Sequence, residues 1–139
     1  MKIRRAKKEE VNKISKIISV LDTKHYKFSK KDKIKTFIQK KSCYVALEDS
    51  KIMGAICLDL SKEACKIYSI VSKKKGCGML MINKAVELCK KNKVSKLWCW
   101  SLIRYKAKGF YDKMGFEEQF LLKKHLYGED CYIFGKIIK

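Results

Sequence analysis

The chain has 139 residues, 47% hydrophobic and 35% charged, which suits one domain with its own core and argues against a disordered tail. No apolar run approaches the roughly 20 residues of a membrane span, and the N-terminal MKIRRAKKEEV lacks the apolar stretch of a signal peptide. Seven scattered cysteines with no Cys-x-x-Cys pair, and a net charge of +20, argue against a disulfide scaffold or zinc site and for a soluble, cytoplasmic, basic protein with reduced thiols.

Taken in order, Lys2–Ala6 reads as a short first strand. A helix from Glu9 to Leu21 follows, with Val11, Ile14, Ile17, Ile18 and Leu21 on one face and two acids in its first turn. Ser29 and Asp32 have capping-box spacing and open a second helix that turns Ile34, Phe37 and Ile38 inward. Cys43–Leu47 and Ile52–Leu60 form a hairpin around Glu48-Asp49-Ser50-Lys51, with Gly54 marking a bulge or a close approach.

The central stretch runs from Lys66 to Lys91. Ile67, Ile70 and Val71 belong to a buried strand, and Leu80, Met81, Ala85, Leu88 and Cys89 recur at the helical period. Between strand and helix lies Lys73-Lys74-Lys75-Gly76-Cys77-Gly78. Two glycines allow a tight turn and close backbone approach, and the free N–H groups at the helix start suit a phosphate. The pattern is neither a dinucleotide fingerprint, since Met81 stands where a third glycine belongs, nor a Walker loop, which needs Gly-Lys-Ser/Thr. A plain strand-to-helix connection would use the same residues.

Leu97–Leu102 reads as a further strand with Trp98 and Trp100 on one face. Tyr105–Met114 is a helix stopped at Gly115. Phe116–Leu122 and Cys131–Ile138 close the chain as two strands around Tyr127-Gly128-Glu129-Asp130. No linker, repeat or low-complexity segment divides residues 1–139. The order is strand, two helices, three strands, helix, strand, helix, two strands: an α/β (α+β) fold with a mixed sheet flanked by helices.

That order, with three segments, resembles the GNAT superfamily of acetyl-CoA-dependent N-acetyltransferases. Its phosphate loop, Gln/Arg-x-x-Gly-x-Gly/Ala, is matched by Lys73, Gly76 and Gly78, with lysine replacing the usual planar donor. Ala107-Lys108-Gly109-Phe110-Tyr111-Asp112-Lys113-Met114-Gly115-Phe116 is similar to the family's Ala-x-x-Phe/Leu-Tyr-x-x-x-Gly-Phe, and Ile3-Arg4-Arg5-Ala6 to its first strand. The resemblance implies that backbone N–H groups from about Lys74 to Met79, the loop residues Lys75 and Cys77 among them, hold the pyrophosphate of acetyl-CoA. It brings Ala107, Phe110 and Arg104 (where asparagine is common) to the same co-substrate, and an N–H near Ile70 or Val71 to its carbonyl oxygen. Replacing Gly78 by a β-branched residue should then crowd the ligand and leave the fold intact.

The same resemblance makes Tyr111 the acid that protonates the departing CoA thiolate, a role within the reach of a phenol. An amine must be neutral to attack, and a lysine-like amine needs a base to become so. Glu63, Tyr68, His25 and His125 are candidates, and the residues single out none of them. Tyr127-Gly128-Glu129-Asp130-Cys131-Tyr132 resembles the tail of members that acetylate protein N-termini, which brings Tyr127 and Glu129 to the substrate; it is also an ordinary turn composition. Only three of the 34 basic residues are arginine, and the lysines are scattered. They read either as a composition-biased solvated coat or as a surface for a polyanion such as nucleic acid, the ribosome or an acidic protein. The functional expectation is acetyl transfer to a primary amine, on a small molecule, a protein N-terminus or a lysine, with no metal and no membrane, by a monomer or homodimer. A basic nucleic-acid-associated protein or an acyl-CoA-binding module without turnover is the alternative.

Overall fold

The computed structural model describes all 139 residues. Seven strands form one sheet: β1 (Lys2–Arg5), β2 (Cys43–Glu48), β3 (Lys51–Leu60), β4 (Cys65–Ser72), β5 (Lys96–Leu102), β6 (Glu117–Leu126) and β7 (Glu129–Ile137). Their order is β1-β2-β3-β4-β5-β7-β6, so the last hairpin folds back to place β7 beside β5. All neighbours are antiparallel except β4 and β5. The helices are α1 (Val11–Ile18), α2 (Lys31–Gln39), α3 (Cys77–Lys91) and α4 (Lys108–Lys113).

Alternation along β2 explains how the helices are shared between the faces. Tyr44 and Ala46 join one buried cluster with Met81, Ala85 and Cys89 of α3. Cys43 and Val45 join the other with Ile14 and Ile18 of α1 and Ile34 of α2. Successive strand side chains point to opposite faces, so α1 and α2 cover one face and α3 the other. All seven cysteines are buried free thiols within this packing. No helix is long and apolar enough to cross a membrane.

The β2–β3 and β6–β7 hairpins use two-residue turns with positive φ, Asp49-Ser50 and Tyr127-Gly128, the geometry whose twist matches that of the strands. Gly54 lies beside a register shift between β2 and β3, and a Cβ there would sit 3.0 Å from Met81 Cε; bulge and close approach coincide. Three expectations about helix ends are corrected. The first helix carries a 3-10 turn at each end, Lys8–Glu10 and Ser19–Leu21. In place of one helix from Tyr105 there is a 3-10 turn, Ile103–Tyr105, and then α4, with Lys106 at φ 55° between them. Ser29 does not cap α2: its N–H donates to Asp22 Oδ1 at 3.1 Å and its hydroxyl to the same carboxylate, so it closes the preceding loop instead.

Glu10 is the carboxylate that ties the first strand to the first helix. It accepts from Arg4 Nη1 at 2.9 Å, from Arg4 Nη2 at 2.8 Å, and from the Lys7 N–H at 2.7 Å. The Arg4 guanidinium foremost, and the Lys7 N–H after it, hold the Glu10 pKa below the usual carboxylate range against partial burial. A lowered pKa contributes stability that is present above the unfolded-state value, near 4.3, and is lost as pH falls. Glu10→Gln is therefore expected to cost about 1 kcal/mol at neutral pH, a modest value because Arg4 is part-exposed. Melting curves of both proteins should converge below about pH 4; a constant gap down to acid pH would show that the charge contributes nothing.

Candidate active site

β4 and β5 pair only at Cys65–Leu97 and Lys66–Trp98. Beyond those pairs the strands part, while β4 stays paired to β3 and β5 to β7. A cleft of about 810 Å³ opens where they separate. Its walls include Ile70, Val71 and Ser72 of β4, the loop residues Lys75 and Gly76, Gly78 and Met79 of α3, and Ala107, Phe110, Tyr111 and Lys113 at α4. Strand, loop and both helix ends named by the sequence motifs therefore converge on one space.

The cradle is shaped by Gly76, which takes φ 96° as the residue before α3, a conformation natural to glycine. The Gly78 and Met79 N–H groups lie in the first helical turn, where no backbone acceptor precedes them, and no side chain caps the helix. Two donors and the positive end of a helix of 15 residues thus face the cleft beside Lys75. The Cys77 N–H is not available: it donates to Lys74 O at 3.1 Å, and the Cys77 side chain is fully buried. The Lys74 ammonium is bound to Glu48. Lys73 lines a separate surface pocket with Asp49 and Lys51, and its N–H donates to Met53 O at 2.8 Å. At Gly78 packing within the protein already excludes a side chain: a Cβ there would lie 2.6 Å from Phe110 Cε1, so a β-branched residue would not leave the fold undisturbed. Arg104 is not at the cleft. It lies 5.4 Å from the Tyr105 ring and binds Glu129 Oε1 at 2.5 Å.

Tyr111 is 4% exposed and its ring stacks on Phe134 at 4.8 Å, with Phe110 and Phe116 edge-on at 5.2 Å each. Burial, and the neighbouring Cys99, push its pKa well above the ordinary phenol value, so it stays protonated through neutral pH. Burial also pushes the Cys99 thiol up to about 12. The cleft thus presents a neutral phenol beside a neutral thiol.

A second cavity of about 290 Å³ adjoins the first and shares Phe28, Tyr68 and Trp100 with it. Tyr127 and Glu129 line it with His25 and Tyr26; the His25 and Tyr127 rings stack at 4.2 Å. Tyr127 and Glu129 are therefore together, but apart from the cradle. His125 is exposed on β6, and Glu63 lies in an exposed turn near Ser61. Among the cleft residues that the motifs do not single out are Trp100; Ser69, whose buried hydroxyl has no hydrogen-bond partner; and Lys113, a second cation at a variable position of the Ala107–Phe116 motif. Ser69 and Tyr68 owe their placement to a bulge, because Ser69 pairs with Cys57 and Ile67 with Leu58, leaving Tyr68 unpaired.

A family profile described as an acetyltransferase (GNAT) domain matches residues 4–124, and the chain belongs to that family. It is an acyltransferase whose co-substrate is acetyl-CoA. No curated protein matches it at a significant level. Among solved structures, Ard1 from Thermoplasma volcanium superposes with a TM-score of 0.83 at 18% identity, over 99% of this chain and 97% of that one. A ribosomal-protein-alanine N-acetyltransferase from Brucella melitensis gives 0.81 at 15% identity, over 99% of each chain. An aminoglycoside 6'-N-acetyltransferase complexed with coenzyme A gives 0.83 at 12% identity, over 100% and 98%. At these identities the likeness is one of fold.

The cleft fits acetyl-CoA on its own evidence. It has free helix-start N–H groups flanked by Lys75 for phosphate, an apolar wall, and one unsatisfied hydroxyl, Ser69, for a polar group of the ligand. β4 beyond Lys66 is also unpaired on its β5 side, and alternate residues of a strand turn their N–H groups to that side.

Proposed function

We propose that this protein transfers the acetyl group of acetyl-CoA to a primary amine that enters through the smaller cavity. The observation that carries the reading is the junction of the two cavities at Phe28, Tyr68 and Trp100, where β4 and β5 part. A thioester seated in the larger cleft and an amine in the smaller one would meet there. Gly78 and Met79 N–H groups with Lys75 hold the phosphates. Ile70 or Val71 offers an N–H to the carbonyl oxygen, which gains charge during attack. Tyr111 supplies a proton to the leaving sulfur.

Two of the neighbours by fold are a ribosomal-protein-alanine and an aminoglycoside acetyltransferase, so peptide α-amines, lysine side chains and small polyamines form the set to examine. The walls of the smaller cavity include Tyr26, Tyr68, Tyr127 and Trp100, aromatic surfaces that receive an ammonium and its carbon chain. Release of free CoA, followed over a panel of peptides and small amines, tests the reading. The expected result is saturable, amine-dependent release with one acceptor class strongly preferred. CoA binding without release against every amine in the panel would instead identify an acyl-CoA-binding module.

A further inference from the structure

Three side chains from three segments meet around Tyr68, which stands at the junction of the cavities. Tyr26, in the loop before α2, and Tyr68, at the bulge of β4, share a short hydrogen bond between their hydroxyls. Lys33 of α2 donates from Nζ to the Tyr26 hydroxyl at 2.7 Å and lies 5.1 Å and 5.4 Å from the centres of the Tyr26 and Tyr68 rings. Phe37 and Phe28 hold the Tyr68 ring in place, at 5.0 Å and 5.4 Å between ring centres. Tyr68 lines both cavities, whereas Tyr26 lines only the smaller. We propose that Tyr68 takes the proton from the acceptor's ammonium and passes its own to Tyr26, whose phenolate is held by Lys33.

The inference rests on the amine-transfer reading above and supplies its missing base. Burial opposes ionisation of Tyr26, but the Lys33 ammonium and the Tyr68 hydroxyl outweigh it and bring its pKa below the ordinary phenol value. Burial, and then Tyr26 itself, raise that of Tyr68. The pair therefore has one site that ionises early and one that stays protonated facing the junction. Charged groups around it are Lys33 on α2 and Lys66 on β4, with Asp22 in the loop as a negative neighbour. Across the cavity, Glu129 is bound to Arg104 and His25 is stacked on Tyr127; neither shares the junction.

The protons balance. The ammonium gives one proton to Tyr68 Oη as the Tyr68 O–H proton moves to Tyr26 Oη, which becomes neutral beside Lys33. The freed lone pair forms the C–N bond as the C–S bond breaks. The second proton of the nitrogen goes to solvent and the sulfur takes its proton from Tyr111; Tyr26 then releases the relayed proton to solvent and Tyr111 regains one, for a net release of one proton. Tyr68 acts on the substrate directly; Tyr26 and Lys33 act through it and set its proton affinity.

The first test needs no acceptor. Following phenolate absorbance with pH on the free protein, one tyrosine should ionise below the ordinary value of about 10. That step should be missing in Tyr26→Phe, move to higher pH in Lys33→Met and return in Lys33→Arg. The second test follows the pH dependence of kcat/KM with the amine that the panel identifies. The low-pH limb should move up by about one unit in Lys33→Met, and Tyr68→Phe should lose roughly 10²–10⁴-fold in rate with unchanged acetyl-CoA affinity. An early step that persists in Tyr26→Phe, or a limb unmoved in Lys33→Met on an active enzyme, would overturn the relay and leave amine transfer standing. No release of CoA by the wild type with any amine overturns both.

Discussion

Tyr111→Phe is expected to slow acetyl transfer by roughly 10²–10⁴-fold, the usual contribution of a general acid, with acetyl-CoA affinity nearly unchanged. The substitution removes only the hydroxyl. The ring keeps its place against Phe134, Phe110 and Phe116, so stability should change by less than about 1 kcal/mol. Loss confined to turnover marks an interaction made mainly in the transition state. The phenol suits the proposed role because burial and Cys99 keep it protonated and because it lines the cleft in which the thioester is proposed to sit. Steady-state rates, with calorimetry for acetyl-CoA, decide the matter. Near-full turnover in Tyr111→Phe with chemistry limiting would give the proton transfer to water or another group.

Gly78→Val should damage the protein before any ligand arrives. The added Cβ would lie 2.6 Å and 2.9 Å from Phe110 Cε1 and Cζ, and α4 has to move or Phe110 has to leave its rotamer. Overpacking of this kind costs about 1–3 kcal/mol, visible as a drop of several degrees in melting temperature. Phe110→Ala in the same chain should recover part of that loss, a coupling characteristic of side chains in contact. Gly76 behaves differently. A Cβ there meets only Met1 Cε, at 4.0 Å, but φ 96° is strained for any other residue. Gly76→Ala should therefore weaken acetyl-CoA binding by disturbing the turn, without a clash to relieve. A Gly78→Val protein that melts like the wild type would show that Phe110 is not the constraint.

The two glycines illustrate how far residue patterns carry. A pair of glycines between a β-branched strand and an amphipathic run places a tight turn and a helix start correctly, because turn conformation and helical period are local properties. Which glycine serves the turn and which serves packing depends on Phe110, which arrives from α4. The same division separates Lys75, which lines the cleft, from Lys74, which Glu48 of the neighbouring hairpin binds, and from Lys73, which faces another pocket. Ser29 and Asp32 had the spacing of a cap, yet Asp22 took the serine first.

The amino-acid sequence by itself determined the order of strands and helices, the hairpin turns, the strand–loop–helix cradle and the motif carrying Tyr111. The first three are written in periods of two or 3.6 residues or in turn chemistry, which neighbouring residues settle among themselves; the Tyr111 motif is legible as a likeness to a family pattern. Only the tertiary structure decided the parting of β4 from β5, the bulge that turns Tyr68 and Ser69 toward the cleft, and the meeting of Lys33, Tyr26 and Tyr68. Tyr68 is one more aromatic in an alternating strand until β3 forces the register shift beside it. Its partners lie in another loop and another helix, and proximity between distant segments is created by packing of the sheet faces, which no local pattern encodes.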